Sequence, residues 1–589
     1  MIAHVFVDLD VPHLDHAFEY LIPGDLSEKV QVGSRVQVRF AGRRKTGWVT
    51  AVSPESSSGK KLLPVLRVIG PFPLVTEGVM RSAQYLASRY ATNLKQILTF
   101  AVPTRAAHVE KEFADQEVQF EEDEEQPARS VATLFPRQMQ EALVGTVKGL
   151  GERPFAAIVV PTAAATKMVA QWLKEAFPSL KIAQSSTEDT TAHRYRIHLQ
   201  ALCGQVNVVV GTRSAAWTPL PRGGSIIVWN SGDPRLREVR SPHLDALDIA
   251  VARSHTEGIS LLSSAYARSL KDQVLLDSGW AKDTSPPRNE NVGRIPRLQV
   301  FDWVEAERQG ASGLGLLPSA AYGVIRKGLD AGPVLVQVPG PGYRSERTCP
   351  TCERRRDDRA DCDDAFHLEP VRYLVGSDRL AEELQKAFKD VKVRVSSSTA
   401  GVLQEVSASP QIVVATASAE PQCRAGYGAV VIAGAHGLAY RDFLDAALEA
   451  ERRWMDALAL AGPRAPAMLI GTPPEVLEQS LVRWDSALLA KSELAVRAEL
   501  GFPPAAWTVS VEGSEQSLHG CLSAVHAAGL QVQARPFKVE RELFRVVLRV
   551  QPSQASQLMK ALRASQVRLS SEGAPLLIID VNPTDLAAG

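Results

Sequence analysis

Residues 206–230 read VNVVVGTRSAAWTPLPRGGSIIVWN. The runs VNVVV and SIIVW show no alternation of apolar with polar residues, and each is too short for a helix. That pattern predicts strands covered on both faces, as in a parallel sheet with helices above and below it. The flanking sequence repeats it. Upstream stands FAAIVVPT (155–162), with a helical pattern from Met168 to Phe177. Downstream come a helical pattern from Leu244 to Ala252 and then ISLLSS (259–264). A second series follows: PVLVQVP (333–339), a helix over Leu380 to Phe388, VKVRVSS (391–397), QIVVATAS (411–418), AVVIAG (429–434), a long helix over Asp442 to Leu460, and AMLIGT (467–472). Strands alternating with helices predict two α/β domains in tandem, over 131–290 and 291–490.

The flanks read differently. Residues 1–103 are β-rich, with HVFVDLDVP, VGSRVQVRF and TGWVTAVS punctuated by Gly33, Gly42 and Gly47, and they predict a small β-barrel. A helix follows from Glu77 to about Tyr90, its apolar residues Val79, Met80, Ala83, Leu86 and Ala87 spaced three to four apart and Thr76 placed to cap it. The stretch 104–130 contains the acidic run Glu121 to Glu125 before Pro127 and reads as a linker, because such a run resists packing. Residues 491–589 combine the strand-like FRVVLRVQ, a helix over Ala555 to Leu562 and PLLIIDVNP, and predict a compact α+β module.

A chain of 589 residues is too long for one hydrophobic core and implies roughly three to five folded units. With 45% hydrophobic and 22% charged residues it is globular in composition, neither fibrous nor disordered. No apolar run reaches the roughly 20 residues of a membrane span. Asp8 and Asp10 stand where a signal peptide would be basic and then apolar, so a cytoplasmic protein is expected. Lys plus Arg equals Asp plus Glu at 66 each, so any nucleic-acid surface must be local.

One local surface stands out. A terminal nucleotide needs a carboxylate for its 3′-hydroxyl, an aromatic face for its base and cations for its phosphates. Phe18, Glu19 and Tyr20, with the turn Arg39, Gly42, Arg43, Arg44 and Lys45, offer that set; equally, the two aromatics could be core strand residues and the turn a solvated hairpin. The segments AFEYLIP, VGSRVQVRFAGRRKTGWV and LPVLRVIGPFPLVT, followed in order by the 206–229 string, PVLVQVPGPGYRSERTCPTC, YLVGSDRLAEEL, AELGFPPA and IDVNPTDL, make the chain similar to the PriA family of replication restart proteins. The resemblance covers nearly everything except 104–130, which is too short for the winged-helix module the family carries there. It implies that residues 1–103 hold the 3′ end of nascent DNA at a fork, and that the α/β domains are a tandem RecA-like pair. Nucleoid association, forked or branched DNA, primosome proteins and single-stranded DNA-binding protein as partners follow from the same resemblance. Family members commonly have Asp where Glu19 stands, and Lys where Leu63 stands, with Lys60 and Lys61 just upstream.

The resemblance also exposes what the motor lacks. A helicase of this kind needs a Gly-rich loop ending in Lys-Ser/Thr, whose amides and lysine hold phosphates and whose hydroxyl binds magnesium. Here LFPRQMQEALVGTVKGLGERP runs into FAAIVVPT with no such loop. Where an Asp-Glu-Glu-His should end a strand, SIIV is followed by Trp229, Asn230, Ser231, Gly232 and only then Asp233, and the phosphate-stabilising arginines align with Pro463 and Pro466. A chain without ATP hydrolysis is therefore expected. The GTRSAAW segment survives, so Arg213 is a candidate DNA-backbone contact or, equally, a structural arginine at a strand end.

Cys203, Cys423 and Cys521 stand alone, whereas Cys349, Cys352 and Cys362 cluster. The resemblance implies a zinc ribbon in this insertion (340–368) of which three ligands of one site remain. His367 could complete a Cys3His site for one zinc ion; the alternative is a decayed ribbon with free thiols. Two other functions stay open: an active ATP-dependent 3′ to 5′ helicase, and a protein-interaction scaffold that no longer binds DNA.

Overall fold

The computed structural model describes residues 1–9, 11–56, 61–118, 126–152, 154–302, 316–340, 376–441, 443–532, 534–540 and 542–583. Its first sheet comprises β1 (Ile2–Val7), β2 (Ala17–Leu21), β3 (Arg35–Phe40), β4 (Arg43–Ser53) and β5 (Arg67–Ile69), antiparallel throughout in the order β2-β1-β4-β3-β5. The ends meet. Leu21 N–H donates to the Leu63 carbonyl at 3.0 Å and Val65 N–H to the Leu21 carbonyl at 2.9 Å, while Leu66 N–H donates to Gln37 on β3. The 63–66 segment thus joins the two edges, so the expected barrel closes and no long edge is left open. Gly47 sits where a Cβ would lie 2.6 Å from Val5 Cγ1, so β4 can cross β1 only with glycine there.

The second sheet is wholly parallel, with β6 (Arg129–Thr133), β7 (Ala156–Val159), β8 (Ile182–Ser185), β9 (Val208–Gly211), β10 (Ser225–Trp229), β11 (Ser260–Ala265) and β12 (Lys282–Asp283) in the order β12-β6-β11-β10-β7-β9-β8. Every residue of β7, β9 and β10 is buried, as their unbroken apolar sequence requires. The third sheet, also parallel, orders β13 (Arg297–Phe301), β14 (Val334–Val338), β15 (Val393–Ser396), β16 (Ile412–Thr416), β17 (Ala429–Ile432) and β18 (Pro466–Ile470) as β13-β18-β17-β14-β16-β15. The C-terminal sheet is antiparallel, β20-β21-β19-β22, from β19 (Trp507–Gly513), β20 (Phe537–Lys538), β21 (Phe544–Val550) and β22 (Ile578–Val581), packed by the helices Glu515–Ala527 and Ala555–Ser571. The architecture is that expected from the sequence: a β-barrel, two parallel-sheet domains and an α+β module.

Helices follow their local signals. Glu77–Arg89 starts where Thr76 Oγ1 accepts from Val79 N–H at 3.2 Å, and its buried side includes the five apolar residues that predicted it. The helix expected over Leu244 to Ala252 extends to Glu257, where Gly258 adopts a left-handed conformation and ends it. The helix expected from Ala555 to Leu562 continues to Ser571.

The stretch read as a linker is not a free connection through residue 118. Val109 and Phe113 are buried, Glu110 accepts from the Tyr195 hydroxyl at 2.8 Å, and Glu112 pairs with Arg196 at 2.6 Å. Glu110 and Glu112 each meet a donor on the helix Thr191–Leu202, and Val109 and Phe113 reach the core beside them. The acidic run 121–125 lies outside the described residues.

The cores do not respect the sheets. One apolar cluster joins the helices after the barrel, one side of the second sheet and the C-terminal module, while another joins the second and third sheets.

Candidate functional site

The β3–β4 hairpin turns on two residues, Ala41 and Gly42, both with positive φ (46° and 76°), since Phe40 pairs directly with Arg43. Such a turn suits the strand twist and requires a residue tolerant of the left-handed region, which explains Gly42. Around it Arg39, Arg43 and Arg44 are exposed and Lys45 is half-buried. Arg39 lies directly opposite Arg44 in the ladder. Like charges so placed repel, and among the described residues no carboxylate pairs with any of these four. The tip is a bare cationic surface.

β2 divides its own candidates. Alternation puts Phe18 and Tyr20 on one face and Glu19 on the other. Tyr20 is buried, its hydroxyl donates to the Arg39 carbonyl at 3.2 Å, and burial raises its pKa. It is a barrel core residue tying β2 to the hairpin. Phe18 is half-buried, its ring 4.3 Å from that of His16 and 4.9 Å edge-on from that of Phe40. Glu19 stands beside His4 on β1 and accepts a hydrogen bond from the Ser56 hydroxyl. Leu63 is 50% exposed where it meets β2, Lys61 is exposed, and Lys60 lies outside the described residues. The structure therefore gathers Phe18, Tyr20, Phe40 and the hairpin base on one side of β2 and sets the Glu19 carboxylate on the other.

Arg213 opens the single turn Arg213–Trp217 after β9 and donates through Nε to Glu238 at 3.0 Å. Glu238 also accepts from Arg240. Burial pushes the Glu238 carboxyl up, but the Arg213 and Arg240 hydrogen bonds outweigh it and hold its pKa below the ordinary value.

The two parallel sheets meet at the ends of β6 and β10. Between β6 and the helix Met139–Gly149, in the strand–loop–helix position suited to a phosphate loop, lie Leu134, Phe135, Pro136, Arg137 and Gln138. Leu134 and Phe135 are buried, and the Leu134 carbonyl accepts from Trp484 Nε1 at 2.9 Å. After β10, Asn230 donates to Asp456 Oδ2 at 3.0 Å. Asp233, 1% exposed, accepts from Arg235 and, at 3.0 Å, from Arg452 of the helix Ala446–Leu458. Arg452 also pairs with Glu449 at 2.8 Å and Asp456 at 3.2 Å. Burial works to raise the Asp233 pKa but the two arginines lower it, whereas at Asp456 burial prevails and raises the carboxyl to about 7. Arg452, Asp456 and Trp484 were not singled out in the sequence. The one signal was the spacing of Glu449, Arg452, Arg453 and Asp456 along a helix, which reads as an exposed charged face.

Cys349, Cys352, Cys362 and His367 lie outside the described residues. Among the described residues no helix is long and apolar enough to cross a membrane.

Two family models match the chain: the 3′DNA-binding domain (3′BD) of PriA over residues 4–103, and the primosomal protein N C-terminal domain over residues 498–584. The "Probable replication restart protein PriA" of Mycobacterium tuberculosis is 32% identical over 572 residues, covering 88% of this chain and 87% of that protein. Its counterpart in Mycobacterium leprae is 32% identical over 577 residues, covering 87% and 88%. Among solved structures, Saccharomyces cerevisiae Dbp5 bound to RNA and ADP BeF3 covers 72% of this chain and 98% of its own, at 8% identity and a TM-score of 0.35.

Proposed function

The chain belongs to the PriA family of replication restart proteins, and from that premise we propose that it recognises stalled or abandoned forks through a 3′ DNA end and promotes replisome reassembly without hydrolysing ATP. The observation that carries this reading is a contrast between two regions of one chain. The barrel presents an unpaired cationic hairpin beside an aromatic-lined strand, whereas the position of the phosphate loop is filled by Leu134-Phe135-Pro136 and the lone carboxylate after β10 is bound to two arginines.

On this reading Arg39, Arg43, Arg44 and Lys45 take the phosphates of the terminal nucleotides and Phe18 offers a ring edge to the last base, whereas Glu19, on the opposite face of β2 and bonded to the Ser56 hydroxyl, lies apart from that set and is not assigned the 3′-hydroxyl. Tyr20 and Gly42 position the strand and the turn. Arg213 reaches the DNA backbone by exchanging Glu238 for a phosphate. One zinc ion at Cys349, Cys352, Cys362 and His367 belongs to the same proposal; metal analysis of the purified protein should give about one zinc per chain, lost in Cys349→Ser/Cys352→Ser. Primosome proteins and single-stranded DNA-binding protein are the proposed protein partners.

The deciding measurement is binding to a fork bearing a 3′ end, to the same fork with a 3′-phosphate, and to blunt duplex, at fixed physiological salt. Preference for the free 3′ end is expected. Equal affinity for all three would refute end recognition, and no affinity for any would favour the protein scaffold. DNA-stimulated phosphate release by the purified protein, together with unwinding of a 3′-tailed duplex, would make the chain a helicase.

A further inference from the structure

A motor built from two parallel-sheet domains works by opening and closing the cleft between them around a nucleotide. We propose that in this chain that cleft is permanently latched: the two domains form one closed body whose spacing responds neither to nucleotide nor to DNA. This deepens the reading of the cleft given above and rests on it, but goes further, since a site that fails to hydrolyse could still bind nucleotide and move.

Three independent features support it. The first is charge. In the cleft Arg235, Arg452 and Arg453 face Asp233, Glu449 and Asp456, three guanidinium groups against three carboxylates, linked at 2.5–3.2 Å. Asp233 and Arg235 come from the loop after β10, and the other four from the helix Ala446–Leu458. The chain's own carboxylates surround these three arginines where a triphosphate would otherwise bind, so among the described residues each of the three is already compensated.

The second is packing. Trp229 at the end of β10 meets Tyr266 edge-on at 5.2 Å, and Tyr266 meets Trp484 at 6.1 Å. These rings, with Leu134, Phe135 and Trp454, belong to a single apolar cluster that crosses the domain boundary. A cleft that opened would expose it to water. Hydrogen bonds close the seam: Trp484 Nε1 to the Leu134 carbonyl, Arg268 N–H to Ser486 Oγ at 2.9 Å, and Arg137 to the Arg424 carbonyl.

The third is backbone strain. Arg137, Asn230 and Trp484 all have positive φ, at 63°, 59° and 52°. Non-glycine residues adopt this region at a cost and persist there only when their surroundings hold them. All three lie on this seam and each makes one of its cross-domain bonds; Trp484 also caps the helix Glu475–Arg483 and asparagine enters the region readily, so the cost falls mainly on Arg137.

Hydrogen–deuterium exchange on the full-length protein tests the latch, alone, with forked DNA, with a non-hydrolysable ATP analogue, and with both. Peptides containing Leu134–Gln138, Asn230–Leu236 and Glu449–Asp456 should exchange slowly and identically in all four states. Arg452→Met should accelerate exchange in all three by about tenfold or more while leaving the barrel peptides unchanged; Trp484→Phe, a gentler change, should accelerate the first. A protection change on adding the analogue would overturn the proposal, as would unaltered exchange in both variants. Such a failure without phosphate release would leave the proposed function standing, whereas phosphate release would overturn that reading instead.

Discussion

At the scale of single residues, the most exacting environment belongs to Glu451. It is 0% exposed, accepts from the Ser480 hydroxyl, has its second oxygen unsatisfied, and burial raises its pKa from 4.5 to about 8. A raised folded-state pKa means that the native state holds the proton more tightly than the unfolded chain. Stability should therefore fall as pH rises from the ordinary glutamate range through about 8. Urea unfolding at a series of pH values should show this decline, and Glu451→Gln should flatten it and be the more stable form at pH 8. Asp233 works in the opposite sense. Its pKa is lowered by its arginines, so removing Arg452 leaves a buried charge short of a partner, at a cost of about 3 kcal/mol. The double variant Asp233→Asn/Arg452→Met should lose less than the sum of the singles. None of this was visible in sequence, where Glu451 and Arg452 are two adjacent charges within the helix expected over Asp442 to Leu460.

At the scale of elements, the β3–β4 hairpin combines a demanding turn with a concentrated charge. Replacing Gly42, at φ 76°, with Ala should destabilise the barrel by about 1 kcal/mol. The triple variant Arg39→Ala/Arg43→Ala/Arg44→Ala should leave the fold intact and weaken DNA binding regardless of sequence. For three lost single-strand phosphate contacts, the slope of log affinity against log salt should fall by about 2. An unchanged slope would remove the hairpin from the DNA interface. This element was legible from its residues alone, because turn chemistry and charge are local. The neighbouring β2 was only half legible: the triplet Phe18-Glu19-Tyr20 reads as one site, but a strand sends alternate side chains to opposite faces, and closure of the barrel places Tyr20 in its core.

At the scale of the whole molecule, the C-terminal module is held to the second sheet by Arg237, which donates to Asp580 at 2.6 Å and to the Asn582 carbonyl at 2.9 Å. It also reaches the barrel, through His13 with Ser570 and Arg563 with Asp15. Arg237→Ala should loosen this docking, and limited proteolysis should then cut ahead of Trp507 faster than in the parent protein; an unchanged digestion pattern would show that the apolar contacts suffice. The sequence by itself determined the order of elements, the parallel character of the central sheets, the cationic turn and the absence of a Gly-x-x-x-x-Gly-Lys loop. Each of these is written in neighbouring residues, through periodicity, turn chemistry or a contiguous motif. Only the tertiary structure decided that Val109 and Phe113 are core, that one apolar cluster spans both parallel sheets, and that Asp233 closes on Arg452. Those contacts join residues as much as 350 positions apart, and local patterns report that a side chain is apolar or charged without naming what it will meet.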